Sequence, residues 1–231
     1  MIHFKRFVLL TLCLSLFACS ARINGSFATD GSAALSVNIS LEPGISALIQ
    51  RLSAVGGQSG PILNGLEISQ SMSQAPGVSS VSLRNTAPAA VEGQVRIISL
   101  SEFLDVEGGF ISFSQGSSGG RCVININLDN GPEIAELLSS EISDYLNALM
   151  APIATGEEMD KQEYLDIVTS FYGRVISNEI ASSRIRASID FPGTVTNVQG
   201  GTFTGRRVNF DIPLLDLLVL ETPLVYEVNW N

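Results

Sequence analysis

The chain has a single histidine, His3, and three cysteines, Cys13, Cys19 and Cys122, so imidazole and thiol chemistry are nearly missing from its 231 residues. It also lacks an apolar run long enough to span a bilayer at its N-terminus. Phe7 to Phe17, interrupted by Thr11 and Ser15, would reach about 16 Å as a helix, against a hydrocarbon core of about 30 Å. A permanent transmembrane helix there is excluded on length. With Lys5 and Arg6 before it, the stretch has the charged and apolar regions of a secretory signal. His3 and Cys13 leave with such a signal. The exported part then has no histidine, which excludes serine or cysteine hydrolysis with an imidazole base, histidine zinc sites and histidine proton relays.

The signal ends in Leu16-Phe17-Ala18-Cys19, which resembles the bacterial lipobox. That resemblance implies a diacylglyceryl group on the Cys19 sulfur, cleavage after residue 18 and acylation of the new amino terminus. Two or three acyl chains hold a protein on a membrane stably where one does not. Residues 1–18 are thus expected to be a lipoprotein signal peptide and residues 19–231 one extracytoplasmic domain on a bacterial membrane. Ser20 after the cysteine favours the outer membrane where the cell has one. The competing reading is an ordinary signal peptide cut within Ala18-Cys19-Ser20-Ala21, and the sequons at Asn24 and Asn38 would suit a secreted eukaryotic protein.

Cleavage removes Lys5 and Arg6 and leaves 11 basic against 23 acidic side chains, a net charge of −12 over 213 residues. Such a balance opposes nucleic-acid binding, which needs Lys and Arg to displace counterions, and opposes simple adhesion to anionic headgroups. A chain of this length buries roughly 70% of its unfolded surface, enough for one domain without staples. With Cys19 lipidated, Cys122 is alone and no intrachain disulfide is possible. In "RCVININL" it shares an alternating face with Ile124, Ile126 and Leu128, the position of a small buried hydrophobe.

Period-two alternation recurs along the chain. Leu35, Val37, Ile39 and Leu41 alternate with Ser36, Asn38 and Ser40, and Val95 with Ile97, Ile185 with Ile189, Val208 with Ile212 and Tyr226 with Trp230 repeat the scheme. One apolar and one polar face is the pattern of antiparallel sheet with one side in water. Asp30-Gly31, Gly116 to Gly120 and Gly200-Gly201 are the turn signals. Helical spacing joins Ile45, Leu48, Ile49, Leu52 and Val55, and more weakly Ile62, Leu66 and Met72. A helix beginning at Pro132 carries Ile134, Leu138, Ile142, Leu146 and Leu149. Another after Asp160, whose pairing with Glu163 resembles a capping box, carries Leu165, Val168, Phe171, Tyr172, Val175 and Ile176. The expected fold class is α+β: a curved antiparallel sheet with two long amphipathic helices on its apolar face.

Three constellations carry little chemistry. "GGTFTGRR" has phosphate-loop glycine spacing, but Arg206-Arg207 replace the lysine and hydroxyl residue, so a β-turn is the better reading. "INLDNG" fails as a calcium loop because Ile126 and Leu128 fall at ligand positions. Glu157, Glu158, Asp160, Glu163 and Asp166 suit a helix N-terminus and its dipole. Arg184, Arg186, Arg206 and Arg207 are the densest positive charge and a candidate anion patch; a polar sheet face balancing local acids is the competing account. No metal, cofactor or catalytic residue is expected.

The lipobox with its immediate strand, "DGSAALSVNISL", "VEGQVRIISLSEF" and "FPGTVTNVQGGTFTGRRVNFDI" together resemble the LppM-type bacterial lipoproteins. That resemblance implies a sheet and helices around an apolar cavity, and a lipid or glycolipid ligand in the cell envelope. Family members often continue into a C-terminal apolar helix, and "PLLDLLVLETP" is too short and interrupted to replace one. The candidate lining of an apolar site between sheet and helices is Leu138, Ile142, Leu146, Val168, Phe171 and Val175. The alternative is a structural or interaction lipoprotein with unidentified protein partners and no small ligand. A carboxylate-dependent hydrolase, which needs two acids roughly 5 to 10 Å apart, is the least supported reading; the expectation is a non-enzyme.

Overall fold

Alternation of apolar and polar side chains places the strands where the sequence puts them, and their pairing makes two sheets. In the computed structural model, residues 20–55, 61–104, 110–136 and 145–231 are described. The first sheet holds β1 (Ser20–Phe27), β2 (Ala33–Ser40), β3 (Val78–Ala87), β4 (Ala90–Ile97), β7 (Arg184–Asp190), β9 (Thr202–Thr204) and β10 (Arg207–Pro213) in the order β3-β4-β2-β1-β7-β10-β9. The second holds β5 (Ile111–Gly116), β6 (Gly119–Ile126), β8 (Val195–Gln199) and β11 (Leu224–Trp230) in the order β5-β6-β11-β8. The arrangement is α+β, with two corrections to the expected sheet. There are two sheets, and β1 pairs with β7 in parallel, because β7 returns to the free side of β1 after a long helical passage.

The helices among the described residues are α1 (Pro43–Val55), α2 (Gly65–Met72), α3 (Leu100–Phe103), α4 (Gly131–Glu136), α5 (Pro152–Thr155), α6 (Lys161–Tyr172), α7 (Arg174–Ser182) and α8 (Leu214–Val219). The expected helix from Asp160 is two helices. Gly173, at φ +87°, ends α6 and starts α7, a conformation that glycine adopts without strain. The break shifts the helical phase, so Tyr164, Val168, Ile176 and Ile180 turn inward while Phe171 and Val175 are 70% and 64% exposed. The helix expected from Pro132 is described as α4 and a helical turn at 145–148; residues 137–144 lie outside the described residues. On α2 the inward stripe is Ile68 and Met72, and Leu66 is exposed. None of the described helices is long and apolar enough to cross a membrane.

Val37, Ile39, Val91, Val95 and Ile185 on the inner face of the first sheet join Ile45, Ile49, Met72, Tyr164, Val168, Ile180, Leu214 and Leu218 of the helices in one large apolar cluster. Each such side chain contributes roughly 1.5–3 kcal/mol when fully buried. A second cluster, Ile189, Phe191, Val195, Val208, Val228 and Trp230, ties the two sheets together. There the Phe191 and Trp230 rings lie 5.0 Å apart and Phe27 meets Phe113 edge-on. Cys122 is packed against this cluster, and burial pushes its thiol up to about 12. Local polar bonds hold the ends. Asp160 accepts from the Glu163 amide at 2.8 Å, the expected cap of α6. Across the fold, the Glu179 carboxylate of α7 accepts from the Gly44 and Ile45 amides at 2.9 and 2.8 Å and so closes the N-terminus of α1.

The strands β6 and β11 are joined by Arg121, whose Nε and Nη2 each donate at 2.9 Å to the two carboxylate oxygens of Glu227. That hydrogen bonding, with a further bond from Asn229, pulls the Glu227 carboxyl from its ordinary 4.5 down to about 2. A lowered carboxylate adds stability that is complete above its ordinary value and is lost as pH falls from there through about 2. NMR titration of the side-chain carboxyl is therefore expected to find Glu227 still ionised at pH 3. Arg121→Gln is expected to return its midpoint toward 4.5.

Candidate functional site

Opposite the apolar core, the seven-stranded sheet turns a second face outward, and register decides what stands together on it. Arg22 of β1 is directly opposite Asn38 of β2 and Arg186 of β7, and Arg186 is opposite Asp211 of β10. One step along the strands, Ser36, Asn24, Ser188, Asn209 and Thr202 form a continuous row across β2, β1, β7, β10 and β9. A further step brings Asp190 opposite Arg207. The face is thus banded: a cationic row near the start of β1, a neutral amide and hydroxyl row, then a paired row. The Gly200-Gly201 turn, which carries the chain from β8 in one sheet to β9 in the other, stands beside it. The turn and the first two rows on β1, β7, β10 and β9 line an open groove of about 780 Å³ that includes Arg22, Asn24, Arg186, Ser188, Asn209 and Asp211.

The four arginines expected to form one anion patch are divided. Arg184 and Arg186 share Asp211, at 2.8 and 3.5 Å. Arg207 is engaged by Asp190 through two bonds of 2.9 and 2.6 Å. Arg206 donates to the Phe191 carbonyl at 2.8 Å. The reason is strand length: Arg184 and Asp190 sit at opposite ends of β7, about 20 Å apart at roughly 3.3 Å per residue. Hydrogen bonding to Arg207 lowers the Asp190 carboxyl, and hydrogen bonding to Asp211 raises Arg184. Arg22, which alternation alone did not single out, is the arginine that replaces Arg206 and Arg207. It makes no ion pair among the described residues.

The expected apolar lining is scattered. Leu146 and Val168 are fully buried in the large cluster, whereas Phe171 and Val175 face solvent at the α6–α7 corner and line no interior site. Leu138, Ile142 and the expected lipidation site Cys19 lie outside the described residues. One polar atom stands out within the cluster. The Tyr164 hydroxyl is buried with no hydrogen-bond partner among the described residues, and desolvation raises its pKa. The acidic run is solvated: Asp160 caps α6, Gln162 donates to Asp166 at 2.8 Å and Lys161 pairs with Asp216 at 3.0 Å. The calcium-like loop is closed by Asn127 and Asn130, each accepting from the other's amide. Among the described residues no three metal-ligating side chains cluster. Gly200 and Gly205, at φ +76° and +62°, are turn glycines, as read from "GGTFTGRR".

No protein-family model matches the chain, and no curated protein matches it. Among solved structures it is similar to the folded domain of the LppM protein of Mycobacterium tuberculosis, determined by NMR. The identity is 12%, the match covers 92% of this chain and 88% of that one, and the TM-score is 0.41. The site rests on this chain's own residues.

Asp211 is the carboxylate that pairs with both Arg184 and Arg186 among the described residues. Its replacement in Asp211→Ala is expected to lower stability by about 0.5 kcal/mol at low salt, the range of exposed pairs. Denaturant unfolding should show the difference vanish near 1 M salt, where screening is nearly complete.

Proposed function

We propose that the chain is a cell-envelope lipoprotein, held on a bacterial membrane, the outer one where the cell has it, by diacylglyceryl-Cys19, and that its folded part is a binding module for a lipid or other apolar ligand. The role is binding, not catalysis. The observation that carries the ligand is Tyr164. A fully buried hydroxyl with no partner costs roughly 1–3 kcal/mol, and here it stands in the same apolar cluster as Leu146 and Val168. A mostly apolar ligand with one hydrogen-bonding end matches such an environment, with Tyr164 as its polar anchor. The tether is supported by the start of the fold: β1 opens at Ser20, and Ala21 is only 1% exposed. With no spacer after Cys19, the module would be held against the bilayer. The solvent-facing pair Phe171 and Val175 favours a second reading, an interaction surface for an envelope protein.

Native mass spectrometry of the purified full chain is expected to show a lipid beyond the acyl groups on Cys19. Tyr164→Phe should release that lipid without unfolding the chain. A chain that carries none, and that simply gains thermal stability from Tyr164→Phe, would count against the apolar ligand and leave the interaction reading. Recovery of Cys19→Ser from the membrane fraction, unchanged in amount, would count against the tether.

A further inference from the structure

Arg22 and Arg186 are directly opposite on adjacent parallel strands, with backbones about 4.8 Å apart. Like charges placed directly opposite one another destabilise a sheet. The local carboxylate does not remove the conflict, because Asp211 is bound more closely by Arg184, at 2.8 Å, than by Arg186, at 3.5 Å. Arg22, which makes no ion pair among the described residues, therefore stands beside an Arg186 that already shares Asp211 with Arg184, in a chain whose net charge is −10. Elsewhere on the same face Arg207 pairs with Asp190 and Arg84 with Glu92, while Arg96 makes no ion pair among the described residues and stands outside this groove. Within the groove Arg22 and Arg186 are the adjacent cations.

What lies next to them is equally particular. Asn24, Ser188, Asn209 and Thr202 stand side by side in the groove and make no side-chain hydrogen bond among the described residues. They offer amide and hydroxyl groups in a row, suited to a ligand with several hydroxyls. Two guanidinium groups suit an oxyanion, which takes charge-assisted bonds from both. We infer that this groove is a binding site for an anionic carbohydrate, with its phosphate or carboxylate between Arg22 and Arg186 and its hydroxyls along the Asn24, Ser188 and Asn209 row. The oxyanion supplies the missing counter-charge, so binding relieves the repulsion between the two arginines. This site is on the face opposite the apolar core and stands independently of the lipid reading above.

The test is calorimetric titration of the full chain, in detergent, with glucose 6-phosphate, glucuronate and uncharged glucose. Saturable binding of at least one anionic sugar is expected, with no heat from glucose. Arg22→Gln should weaken it at least tenfold, while Arg96→Gln, on the same face outside this groove, should change it less than twofold. Without sugar, Arg22→Gln should unfold at a slightly higher temperature than the parent, which shows both that it folds and that the arginines repel. Sedimentation with phosphatidylcholine vesicles, with and without phosphatidylglycerol, identifies the source. Arg22-dependent capture by the anionic vesicles assigns a lipid headgroup, and its absence beside sugar binding assigns a free glycan. No saturable binding in either arm, or binding indifferent to Arg22→Gln, would overturn the inference.

Discussion

The parallel pairing of β1 with β7 is the contact on which the rest of the molecule depends. β1 is a central strand, bonded to β2 on one side and β7 on the other, so it joins the N-terminal hairpins to the strands that follow the helices. Parallel pairing requires a crossover rather than a tight turn, and the helices α1 to α7 lie within that passage. Their apolar side chains gather in one cluster with the inner face of the sheet that this pairing completes and with Ile126 of the second sheet. The same register sets Arg22 beside Arg186 and Asn24 beside Ser188, so core and groove are two consequences of one alignment. A slip by one residue would exchange the faces, sending Ile23 to solvent and Arg22 into the core.

Local features were legible in the sequence and distant ones were not. Alternation located β2, β4, β7, β10 and β11, and the Asp160 cap of α6 was visible because its partner, Glu163, is three residues away. The break at Gly173 was missed because Val168, Tyr172, Val175 and Ile176 keep helical spacing across it; periodicity records spacing and not a backbone turn at φ +87°. The Glu179 cap of α1 could not be read, since its partners Gly44 and Ile45 are more than 130 residues distant. The anion site was half legible. Arg184 and Arg186 announce a cationic strand, but which of Arg22, Arg206 and Arg207 joins them is a question of strand order, and alternation carries no information on that.

The two faces of the first sheet have opposite electrostatic economies. Inward, polar groups are few, and the Tyr164 hydroxyl is conspicuous because it has no hydrogen-bond partner among the described residues of a low-dielectric interior. Outward, charges are screened by water, and individual pairs such as Arg207 with Asp190 contribute little to stability. Arrangement matters more than number there. An acidic chain that sets Arg22 beside Arg186, and Arg186 and Arg184 around Asp211, concentrates positive charge at one end of this face against the sign of its net charge. The binding inferred for this face rests on that local charge, and packing on the other on the apolar stripes of α1, α6 and α7.

Cysteine pairing across β1 and β7 in the full chain tests this account most directly. Asn24 and Ser188 are register partners on the same face, and a disulfide requires Cα atoms about 4.4–6.8 Å apart with side chains pointing together. Rapid disulfide formation in the double variant Asn24→Cys with Ser188→Cys, and none in Asn24→Cys with Ile189→Cys, is the result predicted. Efficient bridging only in the second pair, or in neither, would contradict the alignment from which both the core and the groove are built.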